Sequence, residues 1–339
     1  MLLMAKPTII DIARKAGVGV GTASRALNGA PDVSPATRER VLAAAAALDY
    51  HPSAVARRLQ GSRSDVVAYV PEASDQPAGD MQFKDFMTVL ARSCAHHGLD
   101  LLIHPLRDGG DQGAELSRLL RERRADGIIL ADTRINDLRV KYLAEQRLPF
   151  VAFGRTRSND TYAYVDLDSQ AGTHAATTHL IERGHRRIAF LGLPLVYSYA
   201  QHRLDGYRQA VTAHGLPIDP ALIHVDLGTE TQTREVVRQL LLMPAPPSAI
   251  AAASDLLAIY AMRAVEDFGF QPGRDIAFVG FDDLLLAAHT RPTLTTVRQP
   301  FDLICDLLIT TLVGVIEDDP QAQRQHLVQP TLIVRQSST

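Results

Sequence analysis

Thr8-Ile9-Ile10-Asp11-Ile12-Ala13-Arg14-Lys15-Ala16-Gly17-Val18-Gly19-Val20-Gly21-Thr22-Ala23-Ser24-Arg25-Ala26-Leu27-Asn28-Gly29 is the stretch whose reading decides the fold. Thr8, followed three residues later by Asp11, has the form of a capping box: the hydroxyl accepts from a first-turn amide while the carboxylate reaches back. Ile9, Ile12, Ala13 and Ala16 repeat at helical spacing and give the first helix one apolar stripe. Gly17 is placed to end it in the left-handed conformation. A second short helix follows over about Gly21 to Asn28, with Ala23, Ala26 and Leu27 inward. Asn28-Gly29 and Pro31-Asp32 mark a loop. Ser34-Pro35 then opens a third helix, serine as cap and proline at the first helical position, running through Val41 and Leu42 to about Leu48. Two short helices joined by a glycine-containing turn are the geometry that lays the second helix in the DNA major groove. Thr22, Ser24, Arg25 and Asn28 lie off its inward stripe. Arg25 is the candidate for a bidentate contact with guanine, and the other three suit phosphates or base edges. The plain alternative is a small helical domain with a solvated basic face.

Charge favours the DNA reading. Residues 1–64 hold nine Lys/Arg against four Asp/Glu, whereas the rest of the 339-residue chain holds 26 against 34. A basic head on an acidic body suggests a polyanionic partner for the head alone. Beyond it, Tyr50-His51-Pro52-Ser53 breaks the helical pattern. Ser53–Gln60 restarts it for one or two turns before Gly61-Ser62, too short a helix to be stable alone in water.

From residue 66 short apolar strand candidates alternate with amphipathic runs. The strands are Val66–Val70, Leu99–His104, Gly127–Ala131, Pro149–Gly154, Arg187–Gly192, Ala249–Ala253 and Asp275–Gly280, with a last one at Thr331–Arg335. The helical runs include Phe83–His97, Glu115–Arg123, Gln170–Arg183 and Leu257–Phe268. Such alternation predicts mostly parallel sheets wrapped by helices, and its length predicts two α/β lobes. Ligands of open α/β sheets collect at the carboxyl ends of strands. Here these are Pro71-Glu72, Asp132-Thr133, Phe153-Gly154-Arg155, Ser254-Asp255 and Phe281-Asp282.

The whole chain resembles bacterial transcription repressors of the LacI/GalR family, most densely over residues 8–61. The resemblance is carried there by Asp11-Ile12-Ala13, Ala16-Gly17-Val18, Ser24-Arg25, Leu27-Asn28, Val33-Ser34, Thr37-Arg38 and Tyr50-His51-Pro52-Ser53-Ala54-Val55-Ala56. It implies an α plus α/β architecture: a helix-turn-helix DNA-binding domain (1–52), a hinge helix and linker (53–64), and a two-lobed effector domain like the type I periplasmic binding proteins (65–339). The N-lobe would take about 65–165 and 300–327, the C-lobe about 166–299 and 328–339. Val20 and Gly21 would open the recognition helix. Gly19 and Gly21 depart from the family's capping and reading side chains, which shifts base reading towards Val20, Thr22 and Arg25. The DNA-facing set is completed by Thr8, Ser24, Asn28, Ser34, Thr37, Tyr50 and the hinge residues Ala56, Arg57 and Leu59. Leu59 would wedge into the minor groove and Arg57, with Arg58, would neutralise flanking phosphates.

For the effector domain the resemblance implies that Arg203 grips the ligand, that Asp282 holds sugar hydroxyls, that Ser254 stands where relatives have asparagine, and that Phe301 packs on the ligand. Phe83, Asp132, Phe153 and Arg155 complete the expected pocket. A carboxylate, a guanidinium and aromatic faces suit a sugar. The structural alternatives are an ion pair of Arg203 with Asp205 or another acid, a helix-capping Asp282 and a core Phe301. Phe153-Gly154-Arg155-Thr156 departs from the Asp-Arg common in the family and is similar to its regulators of α-glucoside uptake, making a disaccharide the first expectation.

The expected protein is therefore a cytoplasmic, homodimeric repressor of carbohydrate uptake or catabolism genes, released from a pseudo-palindromic operator by a small sugar. A nucleobase or other metabolite acting as corepressor is the alternative within the family, and a sugar-binding protein without DNA function the alternative outside it. An enzyme is not expected: the chain shows no GxxxxGK[ST], GxSxG or HExxH. Neither a cofactor nor a metal is expected, with His96, His97, His174 and His179 read as helix-surface residues. Cys94 and Cys305 form no CxxC and are read as core. No apolar run approaches the roughly 18–20 residues that span a bilayer, and the N-terminus lacks the long apolar stretch of a secretory signal. No trailing leucine heptad suggests a tetramer.

Overall fold

The computed structural model describes residues 7–27, 29–50, 63–71, 78–107, 110–157 and 161–338, with only the backbone for 78–82. The chain divides into two compact units, Met1–Ser64 and Asp65–Thr339.

In the first unit, α1 (Ile9–Ala16), α2 (Val20–Leu27) and α3 (Pro35–Ala47) enclose a core of Ile12, Ala13, Ala16, Ala23, Ala26, Val33, Val41, Ala44 and Ala45. The small residues let short helices approach closely. Gly17 adopts φ 67°, ψ 39°, closing α1 as its sequence position requires. At the other end, the Asp11 carboxylate accepts from the Thr8 amide (2.9 Å) and the Thr8 hydroxyl (2.7 Å). The threonine hydroxyl thus donates to the carboxylate, and these bonds hold the Asp11 carboxyl below its ordinary range. Ser34 caps α3 through the Thr37 amide (3.3 Å), with Pro35 in the first turn. α2 begins one residue earlier than its apolar spacing suggests.

The second unit holds two parallel sheets. Six strands lie in the order β11-β5-β4-β3-β1-β2: β1 (Val66–Val70), β2 (Asp100–Ile103), β3 (Gly127–Leu130), β4 (Phe150–Phe153), β5 (Tyr164–Leu167) and β11 (Gln325–Val328). Four more lie in the order β7-β6-β8-β9: β6 (Ile188–Leu191), β7 (Ile223–His224), β8 (Ala249–Ala252) and β9 (Ala277–Val279). An antiparallel ribbon pairs β10 (Thr296–Arg298) with β12 (Thr331–Ile333). The crossover helices are α4 (Ala78–His96), α5 (Gln112–Arg121), α6 (Leu138–Glu145), α7 (Ser169–Glu182), α8 (Ser198–Ala213), α9 (Glu230–Leu241), α10 (Asp255–Asp267) and α11 (Phe301–Ile316).

The chain passes between the two lobes three times: from β5 into α7, from β10 into α11, and from β11 to β12. All eight strands read from the sequence are present. β5, β7, β10 and β11 were not read. β7 has two residues, β11 (Gln-His-Leu-Val) is a polar edge strand, β10 has only three residues, and the apolar run of β5 is broken by the buried Asp166. α7 and α8 pack closely because position 206 is glycine; a Cβ there would collide with the Gln170 carbonyl.

Candidate functional site

On α2 the outward positions are Val20, Gly21, Thr22, Ser24 and Arg25: Val20, Gly21 and Arg25 exposed, Thr22 and Ser24 half-buried. Open space surrounds Gly21, where an added Cβ would meet no atom within 4 Å. Arg25 is the one cation of this helix, and its Nη1 lies 3.2 Å from the Asp32 carboxylate. The sequence reading took Asp32 as a loop marker and missed it as Arg25's partner. Thr8 and Ser34 are exposed caps, Thr37 is half-buried beside Ser34, and Tyr50 packs against the core of the head. Asn28, Ala56, Arg57, Arg58 and Leu59 lie outside the described residues.

In the larger unit the strand carboxyl ends gather two groups of side chains. The first is polar. Arg203, on α8, is 5% exposed. Its Nη1 donates to the Ala253 carbonyl (2.5 Å) at the end of β8, and its Nη2 to Asp282 Oδ1 (3.3 Å) just past β9. The guanidinium lies over the Phe281 ring, 3.7 Å from its centroid, with Tyr199 at 5.3 Å. Its buried Nε has no hydrogen-bond partner among the described residues. A buried charged donor left open beside a carboxylate is a place for a polar ligand atom. Gln299, between β10 and α11, donates to the same Asp282 oxygen (2.8 Å).

Asp282 holds φ 118°, a conformation that non-glycine residues rarely adopt and that surrounding bonds must enforce. Its amide donates to the Val297 carbonyl (2.8 Å). Neighbouring Asp283 is clamped by Arg298 and Arg335, each at 2.6 Å. Asp205 accepts from Gln201 and pairs with Arg208, so Arg203's carboxylate is Asp282. Ser254 is buried and caps α10, its hydroxyl accepting from the Leu257 amide (3.2 Å).

The second group is aromatic. Phe86 sits at its centre, stacked on Phe153 (5.2 Å between centroids), edge-on to Phe301 (5.4 Å) and 5.8 Å from Tyr69, which also contacts Phe83. Phe83 is 36% exposed and Phe301 half-buried, so these rings are more open than the core. Asp132, at the end of β3, links the two groups. Burial first, and then this carboxylate, raise the phenols of both Tyr69, in the N-lobe sheet, and Tyr199, on α8. Arg155 turns to Asp166 (2.7 Å), with His202 4.0 Å from the same oxygen. Burial outweighs Arg155 and lifts the Asp166 carboxyl to about 6.

Sequence reasoning missed Phe86, Tyr199 and Gln299. Phe86 is three residues after Phe83 and Tyr199 four before Arg203, both on the same helix face as a residue already chosen. The lobes also meet directly: the Ser198 amide donates to Thr133 (3.0 Å) and the Ile135 amide to Val196 (3.1 Å). No group of His, Cys, Asp and Glu able to hold a metal occurs among the described residues.

Residues 8–53 match the family described as bacterial regulatory proteins, lacI family, and residues 177–338 a periplasmic binding protein-like domain. The transcriptional regulator CelR of Thermobifida fusca is 33% identical over 335 residues, covering 98% of each chain. The chain belongs to the LacI family. This LacI-family protein is a DNA-binding transcriptional regulator and not an enzyme. It is also similar to the lac repressor dimer bound to operator and the anti-inducer ONPF (TM-score 0.85, 26% identity, 98% of this chain and 99% of that one). A CelR–cellobiose complex gives TM-score 0.74 and 32% identity, with 98% and 99% covered. No helix among the described residues is long and apolar enough to cross a membrane.

Proposed function

We propose that this LacI-family regulator is a homodimeric, cytoplasmic repressor of carbohydrate genes, and that a small sugar, a disaccharide in the first instance, releases it from a pseudo-palindromic operator. Residues 1–52 are the reader, 53–64 the hinge and 65–339 the sensor. Arg25, Thr22, Ser24 and Val20 would face base edges and phosphates, and Leu59 the minor groove, with half-sites about one helical turn apart. The sugar would lie between Arg203, Asp282 and Gln299 on one side and the Phe86, Phe153 and Phe301 rings on the other. The observation that carries this reading is the buried Arg203, whose Nε has no hydrogen-bond partner among the described residues, beside Asp282 and facing tyrosine and phenylalanine rings. Guanidinium and carboxylate match paired hydroxyls, and rings match the C–H face of a pyranose. Bound between the lobes, the sugar would shift the balance of lobe angles, and the chain would pass that bias to the hinge.

Calorimetric titration of the full chain against mono- and disaccharides and free purine bases tests the effector. Fluorescence anisotropy on duplexes enriched from a random library tests the DNA side. A disaccharide that binds and weakens DNA affinity is the expected result. A purine that binds and strengthens DNA affinity moves the reading to a corepressor, and a sugar bound with no duplex enriched at low salt overturns the regulatory role.

A further inference from the structure

The DNA-reading helix carries one cation, and that cation is held by a carboxylate of its own chain. Arg25 is the single basic residue of α2, and Asp32 the single acid between Asp11 and Glu39. They meet at 3.2 Å with 58% and 57% of their side chains exposed. The loop bearing Asp32 is braced. Arg38 Nη2 donates to the Ala30 carbonyl (2.6 Å), the Val33 amide to the same carbonyl (3.3 Å), Val33 is buried, and Ser34 caps α3 immediately beyond. Asp32 is thus presented to Arg25 by a fixed loop. A carboxylate here works against DNA affinity, because a surface that approaches phosphates gains from every cation and loses from every anion. An exposed ion pair is weak, so it can be exchanged for a better partner. A single guanine edge offers Arg25 two aligned acceptors, O6 and N7, which a lone phosphate oxygen does not.

We propose that Asp32 is an affinity-setting residue of the DNA-reading head. It is a built-in counterion that occupies Arg25 away from DNA and has to be displaced whenever Arg25 takes up a base edge or a phosphate. The proposal rests on the reading of Arg25 as a DNA contact. It makes Asp32 lower the affinity for all DNA, by the full energy of the pair wherever the DNA contact displaces it and by less wherever Arg25 stays on Asp32.

The test measures wild type, Asp32→Asn, Arg25→Ala and the double variant, as full-length chains, by fluorescence anisotropy. The probes are a mixed-sequence duplex and a duplex enriched by the wild-type protein from a random library. Circular dichroism checks that each head is folded. Asp32→Asn is expected to bind the mixed-sequence duplex about 2- to 5-fold more tightly per head, the range an exposed pair allows. Its salt dependence is expected to steepen by up to about 0.9 per head, one further phosphate neutralised. The enriched duplex should gain at least as much, because there the base edge displaces Asp32 in every complex. In the Arg25→Ala background the Asp32→Asn gain should vanish. An equal gain in that background means that Asp32 acts as a general negative charge, and an unchanged affinity and salt slope in Asp32→Asn means that it does not act at all; either overturns the proposal. If Arg25→Ala alone leaves both duplexes bound as before, the assignment of Arg25 to the DNA contact fails, a different result from failure of Asp32 as its counterion.

Discussion

Arg203→Met offers a demanding check on the sensor, because its two consequences follow from different physics. Methionine keeps length and apolar volume and removes the charge and every donor. Arg203 and Asp282 side chains are each 6% exposed, so the substitution strands a carboxylate almost without water. Breaking a buried pair from one side costs about 3–5 kcal/mol. Gln299 still donates to Asp282 at 2.8 Å, which places the expected loss at the low end, about 3 kcal/mol of unfolding free energy. The Ala253 carbonyl loses its donor as well.

Adding Asp282→Asn to Arg203→Met removes the stranded charge. Asparagine tolerates the positive φ at position 282 better than most residues, so stability should return to within about 1 kcal/mol of wild type. Binding should not return. A hydrogen bond to a charged group is worth about 1.5–3 kcal/mol, so both variants should bind the preferred sugar about 10- to 150-fold more weakly. Urea unfolding and calorimetric titration measure the two quantities. If Arg203→Met were as stable as wild type and bound sugar equally well, the buried pair would be neither a structural nor a ligand-binding element, and the pocket as drawn would be wrong.

Gly206→Ala should lower stability by about 1–3 kcal/mol in denaturant titration, because its Cβ meets backbone of α7 that cannot yield; an unchanged midpoint would show that the two helices separate freely. Asp166 has a folded-state carboxyl raised from 3.8 to about 6, so the fold binds more protons than the unfolded chain across that window, and stability from this group falls as pH rises through it. Relative to wild type, Asp166→Asn should therefore gain stability between about pH 4 and 6, reaching about 2–3 kcal/mol at neutrality; Tm profiles that stay parallel across that range count against it. Ser34→Ala removes the cap of α3 and should cost the head about 1 kcal/mol, read by the thermal transition of the head's helical signal. DNA affinity should drop about 10³-fold or more between 50 and 200 mM salt if six or more phosphates are contacted, and a flat salt response would exclude that contact count.

What the sequence made legible was whatever short-range rules govern. The capping carboxylate of Asp11, the left-handed turn at Gly17 and the Ser34-Pro35 helix start are each decided within four residues, and each is in place. Strands buried on both faces, such as Gly127–Leu130 and Ala249–Ala252, read as apolar runs. Strands that escaped are very short or carry polar residues within the run, as at the edge in Gln325–Val328 and, inside the sheet, in Tyr164–Leu167 with its buried Asp166. Strand order was not readable either: β11 pairs with β5 across more than a hundred residues, and no local signal carries that. The site divides in the same way. Its positions at strand ends follow from a general rule of parallel sheets, but the partners follow from tertiary packing. Arg155 could be chosen by place, yet only the fold reveals that it turns to Asp166; Ser254 could be chosen by place, yet its hydroxyl is committed to the α10 cap.

The same distinction bears on how the two ends of this regulator differ. In the sensor, the side chains proposed to meet the ligand are buried and over-determined: Asp282 is held by two donors and its backbone forced to φ 118°, and Asp283 beside it is clamped by two arginines. Such a site is rigid, and its cost in desolvation is already met before ligand arrives, which favours discrimination among polar ligands of similar size. In the head, the Arg25–Asp32 contact is exposed and single, so it exchanges readily. A rigid pocket and an exchangeable reader suit a protein that must recognise one small molecule and yet search a great length of DNA before settling.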